Sequence, residues 1–132
     1  MIFIDNEHEK FFHEIDNHMH SHDCYYRPVA YLIALDTVCR EHIEDIFDFN
    51  DSCILPDCLN KGWQTGTSMK TIRLAFNLWN GYCTDGDTFI NKYGYEDELP
   101  SSHYTPDSLF CSEYAPYYFE AVKLRHSRFF TE

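Results

Sequence analysis

The chain has 132 residues, a length typical of one domain that buries a hydrophobic core without disulfides or metal ions. Its residues are 44% hydrophobic and 17% aromatic, which excludes a disordered protein. With 22 acidic against 10 basic residues the formal net charge is −12, which argues against direct nucleic-acid binding, because such a surface repels a polyanion.

The N-terminal third of the sequence predicts two helices. The first, a His-rich helix over about 5–21, has Asp5 or Asn6 as its cap and apolar residues at helical spacing. The second begins near Pro28, a residue favoured in a first turn, and runs through Cys39. Because this second segment is apolar on nearly all sides, we expect it to be the buried central helix.

The next segment is predicted to continue the central helix or to follow a kink near Arg40. Residues 41–49 place Ile43, Ile46 and Phe47 on one face and acidic residues elsewhere, as in an amphipathic helix. Residues 50–66 are rich in turn-forming residues and predict an ordered connection or one short turn.

The second half of the sequence predicts two or three helices. The clearest spans 67–80, where Thr67 or Ser68 can cap the start and Gly81 follows the end. Residues 84–105 are polar, and we expect a short helix around Thr88 to Tyr93 because structureless loops of this length are uncommon. A last helix is predicted over about 112–125.

The sequence shows no alternating strand pattern, which predicts an all-α fold. We expect a single compact α-helical domain of four to six helices over residues 1–132, with its core within about 28–126. The core is predicted to be built from 29–38, 72–79 and 115–125.

The N-terminus and the apolar runs predict a cytoplasmic protein. Residues 1–10 lack the basic and apolar regions of a secretion signal. The longest apolar run, residues 29–35, is far shorter than the roughly 18 residues of a membrane span. We therefore expect reduced cysteines and no membrane partner.

The acidic residues are concentrated in the first half of the chain. Residues 1–58 hold 13 acids and 3 bases, whereas residues 59–132 hold 9 acids and 7 bases. The densest acidic segment, 41–57, is either a solvated face or a surface that docks a basic partner, since complementary fields speed and select association. Docking also requires aromatic anchors, for which the candidates are Tyr25, Tyr26, Phe47 and Phe49. The candidate partner-binding residues are Glu41, Glu44, Asp45, Asp48 and Asp51, with Asp57 as the sixth acid of the segment.

Five of the eight histidines lie between His8 and His22, which raises the question of a zinc site. The near-matches to the HExxH motif fail, because their histidines are five residues apart and do not share a helix face. What remains is His18 and His22 at i, i+4 with Cys24 nearby. The other interpretation is an exposed helix face stabilised by acid–His pairs. We expect no cofactor, with zinc as the alternative.

A second candidate ligand site precedes the helix predicted over 67–80. Backbone N–H groups at a helix N-terminus can hold an anion, and Arg73 and Asn77 lie on the polar face of this helix. The other interpretation is a tight turn anchored by Trp63, with Arg73 paired to an acid. The candidate ligand-binding residues are Trp63, Gln64, Thr65, Arg73 and Asn77.

No motif in the sequence specifies a reaction. A nucleophile such as Cys83 or Cys111 can be combined with His103, but nothing in the local sequence fixes that arrangement. We expect a protein that is not an enzyme.

Five segments of the chain carry a resemblance to a known family: YLIAL at 31–35, IEDIFDF at 43–49, ILPDCLNKGWQT at 54–65, IRLAFNLWNG at 72–81 and APYYFEAVKLR at 115–125. Together they resemble an uncharacterised family of small proteins from Gram-positive bacteria, their phages and mobile elements. The resemblance covers about residues 30–125 and implies no catalytic residues. By analogy, small, acidic, non-enzymatic proteins in that setting often resemble inhibitors of host defence systems such as CRISPR nucleases.

Two functions are therefore expected. The first is a non-catalytic acidic protein that docks on a basic host protein, such as a nuclease or another nucleic-acid-binding effector, as an anti-defence factor. The alternative is a small-ligand or zinc-binding protein that uses the residues before helix 67–80 or the His18, His22 and Cys24 cluster.

Overall fold

In the computed structural model, which describes residues 1–86, 88–98 and 101–130, the N-terminal third folds into four helices. Helix α1 ends at His18 and not near Ser21, because Met19 is extended with ψ 147°. Asp5 caps its start by accepting a hydrogen bond of 2.8 Å from the backbone N–H of His8. The four helices are α1 (Asn6–His18), α2 (Tyr26–Leu35), α3 (Thr37–Glu41) and α4 (Ile43–Ile46).

The central helix predicted through Cys39 is broken earlier than the expected kink near Arg40. Asp36 is extended, and its carboxylate accepts a hydrogen bond of 3.0 Å from the backbone N–H of Cys39. A side chain that caps a new helix in this way ends the preceding one. A second break at His42 separates α3 from α4, so the acidic segment is divided between short elements.

A short hairpin follows α4, which the sequence did not predict as strand. Strands β1 (Phe47–Asp48) and β2 (Cys53–Ile54) pair antiparallel, with Phe47 opposite Ile54. The carboxylate of Asp48 holds the turn by accepting backbone hydrogen bonds from the next residues. A 3₁₀ helix, Pro56–Asn60, completes the predicted ordered connection.

Helix α5 (Gly66–Asn80) confirms the clearest prediction of the sequence. Its cap is Thr65 and not Thr67 or Ser68. The hydroxyl of Thr65 accepts from the backbone N–H of Ser68, and the Ser68 hydroxyl accepts from the backbone N–H of Thr65, at 3.0 and 2.8 Å. Gly81 ends the helix at φ +81°, a left-handed conformation that glycine adopts without a steric cost.

The prediction of a short helix around Thr88 to Tyr93 is wrong. This segment forms a second hairpin, in which β3 (Thr88–Ile90) pairs antiparallel with β4 (Glu96–Glu98). The side chain of Asn91 accepts hydrogen bonds from the backbone N–H groups of Tyr93 and Tyr95. Gly94 at φ +83° allows the tight reversal. Because these local bonds satisfy the backbone in a turn, they compete successfully with a helix.

The C-terminal part contains two further helices, α6 (Pro106–Phe110) and α7 (Ala115–Arg125). Helix α7 begins three residues after the predicted start. Two 3₁₀ helices, Ser102–Tyr104 and Ser127–Phe129, flank this pair of helices.

One hydrophobic core joins the helices around α2, in which every residue from Pro28 to Leu35 is buried. Helices α1, α5 and α7 pack on α2, which confirms its central place. Helix α1 contributes Phe12 and Ile15 to this core, a contribution absent from the predicted core segments. The fold is mostly helical, as expected. The described residues form seven α-helices, where four to six were predicted, and two small sheets that an all-α fold does not contain.

Candidate functional site

Four carboxylates lie together on the surface formed by α3, α4 and the 3₁₀ helix after β2. We call Glu41, Glu44, Asp45 and Asp57 the acidic face, and all four are exposed. Glu44, Asp45 and Asp57 line one open cleft of about 580 Å³. Glu41, Glu44 and Asp45 line a neighbouring depression of about 400 Å³. The two concavities share Glu44 and Asp45, so the four carboxylates form one continuous surface, although Lys61 also lines the larger cleft.

The carboxylates of the acidic face are largely free. Within residues 1–86, 88–98 and 101–130, no ion pair or side-chain hydrogen bond is formed by the carboxylates of Glu41, Glu44 and Asp57. The carboxylate of Asp45 accepts a hydrogen bond of 3.0 Å from Nε1 of Trp63. Free carboxylates can pair with an incoming cation without first breaking an internal contact.

Two of the predicted partner-binding residues lie outside the acidic face. Asp48 and Asp51 lie in and beside the β1–β2 turn and line neither concavity. Asp48 has a structural role, because its carboxylate accepts backbone hydrogen bonds from Asn50 at 2.9 Å and Asp51 at 3.0 Å. The structure therefore brings together three of the five predicted residues and adds Asp57 to them.

A second concavity, which we call the apolar groove, shares Glu44 with the acidic face. Its volume is about 320 Å³. Glu14 from α1 and Glu44 from α4 stand at the groove as exposed carboxylates. The apolar residues that line it are Phe11, Ile15, Ile43 and Phe49.

Of the four predicted aromatic anchors, only Phe49 lines a concavity beside the acidic residues. Phe47 is 1% exposed, so it belongs to the core. Tyr26 packs edge-on against Trp79, and Tyr25 lies under the guanidinium of Arg125 at 3.9 Å. Phe11 was not among the predicted anchors but also lines this concavity, and its helical spacing from Ile15, four residues later, was the available sequence signal.

The predicted ligand-binding residues before α5 hold the fold together. Trp63 stacks on the ring of His42 at 4.2 Å and donates to Asp45. Gln64 donates a hydrogen bond of 2.9 Å to the carbonyl of Cys58, and Thr65 caps α5. These contacts match the interpretation of a tight turn anchored by Trp63.

Arg73 and Asn77 are likewise engaged within the chain. Arg73 donates two hydrogen bonds to the carboxylate of Asp85, at 3.1 and 2.6 Å, and Tyr104 donates a third at 2.7 Å. Burial raises the pKa of Asp85, but the hydrogen bonds from Arg73 and Tyr104 outweigh it and the net pKa is lowered. Asn77 donates to the carbonyl of Tyr82 at 3.2 Å. Arg73 is therefore paired with an acid, and these contacts tie the segment after α5 to that helix.

The histidines of the candidate zinc site do not share a helix face, because α1 ends at His18. The ring of His18 bonds the carbonyl of Glu14 at 2.8 Å, and His22 lies 3.1 Å from the carboxylate of Asp16. The sulfur of Cys24 lies 3.8 Å from a guanidinium nitrogen of Arg125. Among the described residues, no group of three His, Cys, Asp or Glu side chains is placed to hold a metal ion.

All six cysteines are free thiols. Cys39 and Cys58 are buried, and burial raises the pKa of both thiols, to about 12 for Cys58. Thiols in this environment are poor nucleophiles, because the thiolate is the reactive form.

Of three comparisons with known proteins, one found a match. A family model described as a family of unknown function (DUF6075) matches residues 1–132, which includes the His-rich N-terminal segment. No curated protein and no solved structure matches the chain. No helix in the described ranges is long and apolar enough to cross a membrane.

Proposed function

The chain belongs to this family of unknown function, and we propose that it is a non-catalytic binding protein whose acidic face docks on a basic protein. The observation that carries the proposal is the contiguity of the acidic face around two concavities. Its carboxylates are exposed and, apart from the contacts of Asp45, free within the described part of the chain. Such a surface accelerates and selects association with a positively charged partner.

We further propose a nucleic-acid-handling effector, such as a nuclease, as the partner, with the complex formed in the cytoplasm. Proteins that bind nucleic acid expose Lys and Arg side chains to neutralise phosphates. An acidic face that occupies those side chains competes with the nucleic acid. Inhibition by this competition is the action expected of an anti-defence, anti-CRISPR-like protein.

The test is capture of partners from a bacterial lysate by the immobilised protein, with identification by mass spectrometry. The variant combines Glu41→Gln, Glu44→Gln and Asp45→Asn, of which the last keeps an oxygen for the hydrogen bond from Trp63. We expect capture of basic proteins to fall about tenfold or more in the variant, and similarly in about 1 M NaCl, where the Debye length is only about 3 Å. Added duplex DNA should release a captured nucleic-acid-binding partner.

A matched control separates the acidic face from net charge alone. Glu7→Gln, Glu9→Gln and Glu113→Gln remove the same charge from exposed positions elsewhere, and this variant should capture partners like the unmodified protein. Helical circular dichroism verifies that both variants fold. Equal capture by the two folded variants would contradict docking through the acidic face.

A further inference from the structure

The apolar groove is built from two helical stripes that face each other. One stripe belongs to α1, and its residues recur at i, i+3, i+4 and i+7, so they share one side of that helix. The other stripe comes from the end of α3 and from α4, with Phe49 after β1 at its edge. The residues that line the groove are Phe11, Glu14, Ile15 and His18 on the first side and Arg40, Ile43, Glu44 and Phe49 on the second.

We propose that the apolar groove receives one bulky apolar side chain from a basic segment of the partner protein. Lys or Arg residues on either side of that side chain would face Glu14 and Glu44. This inference rests on the proposed function and specifies the chemistry of the segment that docks: a short stretch in which one aromatic or aliphatic residue stands between basic residues.

The groove has the surface and size for an apolar anchor. Phe11, Ile43 and Phe49 are half-buried, and Ile15 is 6% exposed, so apolar surface remains open to solvent in a concave site. Its volume of about 320 Å³ lies at the lower end of the range for small-molecule pockets, roughly 300–1,000 Å³. Buried anchors in pockets of this kind carry most of the binding energy of protein interfaces.

The charge around the groove selects a basic segment. Glu14 and Glu44 are exposed and have no ion partner within the described ranges, and Glu41 and Asp45 of the acidic face lie next to Glu44. The one arginine on the groove is Arg40, which stacks on the ring of Phe11 at 4.8 Å and donates to Thr37 at 3.0 Å. Lys10, whose ammonium lies 5.7 Å from the centre of the Phe11 ring, is a second cation beside the groove. Four carboxylates against these two cations still leave an excess of negative charge.

The same charge disfavours a second copy of this chain as the occupant. Residues 1–58, which contain the whole groove, hold 13 acids against 3 bases. A symmetric contact through this surface would bring like charges together, which is unfavourable at an interface. A basic partner meets no such cost.

The test uses two labelled peptides of equal charge, a Lys-rich peptide with one central Phe and the same peptide with Ser in that position. Fluorescence anisotropy at low salt measures their binding to the full chain. We expect the unmodified protein to prefer the Phe peptide by about tenfold, which corresponds to about 1.4 kcal/mol. Ile43→Ser should abolish this preference, whereas Val122→Ser, at a half-buried apolar position on α7, should retain it.

Chemical-shift mapping by NMR on the unmodified protein keeps the test independent of any variant's folding. The Phe peptide, but not the Ser peptide, should shift amide signals in residues 11–18 and 40–49. Equal binding of both peptides would overturn the groove proposal and leave docking by the acidic face standing. Failure of both peptides to bind would overturn both. If the same signals shifted with protein concentration alone, the groove proposal would be overturned, and the occupant of the groove would be a second copy of this chain.

Discussion

His8 is a fully buried histidine whose hydrogen bonds fix its tautomer. Its Nδ1 lies 3.1 Å from the backbone nitrogen of Ile4 and accepts that N–H, so its Nε2 carries the ring proton and donates to the carbonyl of Tyr31 at 3.0 Å. Both ring nitrogens are therefore used when His8 is neutral. Burial is the main cause that lowers the pKa of His8, because a charged ring loses its hydration there.

This environment predicts that the protein loses stability in mild acid. Since the pKa of His8 is lowered in the folded state, the unfolded chain binds a proton more readily once the pH falls below about 6.5. The free energy of unfolding should therefore decrease as the pH falls from about 7 to 5.5. His8→Gln should cost about 1–3 kcal/mol at pH 7, because buried polar groups lose partners, and should show a weaker decrease.

Urea denaturation at a series of pH values measures both effects. The matched control is His13→Gln, an exposed position on the same helix, which should keep the pH dependence of the unmodified protein. A His8→Gln protein that loses as much stability between pH 7 and 5.5 as the unmodified protein would assign the acid sensitivity to other groups.

At the scale of single elements, α5 shows how far sequence signals locate a helix. The apolar spacing and Gly81 located both ends of the helix within one residue, but the predicted caps, Thr67 and Ser68, were wrong. The structure selects Thr65, because its hydroxyl accepts a hydrogen bond from the backbone N–H of Ser68. The hydroxyl of Ser68 in turn accepts one from the backbone N–H of Thr65. Two residues before this cap, Trp63 stacks on the ring of His42 beside the acidic face.

Two single substitutions distinguish the observed cap from the predicted one. Thr65→Ala should lower the free energy of unfolding by about 1 kcal/mol, because the N–H of Ser68 loses its acceptor. Thr67→Ala should change it by less than about 0.5 kcal/mol, because its side chain does not cap the helix. Urea denaturation midpoints report the difference, and equal effects of the two substitutions would contradict the assigned cap.

Hairpin β3–β4 shows where an expectation from loop length misleads. A short helix was expected around 88–93 because long structureless loops are uncommon, but the segment is instead ordered by a turn that the side chain of Asn91 and Gly94 close. The alternation that defines a strand is not visible over three residues. Short strands of this kind are decided by the turn that joins them and not by their own periodicity.

At the scale of the whole molecule, most of the net charge of −12 belongs to residues 1–58, the part of the chain that contains the acidic face. Carboxylates within a Debye length repel one another, and the acidic face gathers four of them around shared concavities. This repulsion is a cost that folding of the isolated protein bears and that a basic partner would relieve.

The local repulsion predicts a salt dependence of stability. Raising NaCl from about 0.02 to 0.5 M should increase the free energy of unfolding by about 1 kcal/mol, or a few degrees in Tm. The increase should be smaller for the protein with Glu41→Gln, Glu44→Gln and Asp45→Asn than for the control with Glu7→Gln, Glu9→Gln and Glu113→Gln. Thermal unfolding followed by circular dichroism measures this. The same salt response in both would show that the repulsion belongs to the net charge and not to the acidic face.

The sequence by itself determined the positions of α1, α2 and α5 and the region of the chain that carries the acidic charge, but it did not assign α1 to the core. The patterns of α1, α2 and α5 are local, since apolar residues at helical spacing and caps at helix ends act within a few residues. Composition and family resemblance likewise require no coordinates, and the family match confirms the expected uncharacterised family.

Only the tertiary structure decided which acids are free and which concavity lies beside them. The sequence does not distinguish Asp48 from Glu44, because both are acids of the same segment. In the structure Asp48 closes a turn, whereas Glu44 lies exposed between the acidic face and the apolar groove. The groove joins residues 11–18 to residues 40–49, and periodicity shows which side of each helix is apolar without showing what that side meets. Contacts between distant segments depend on the packing of the whole core. That packing brings the two segments together, so that the apolar groove forms between them.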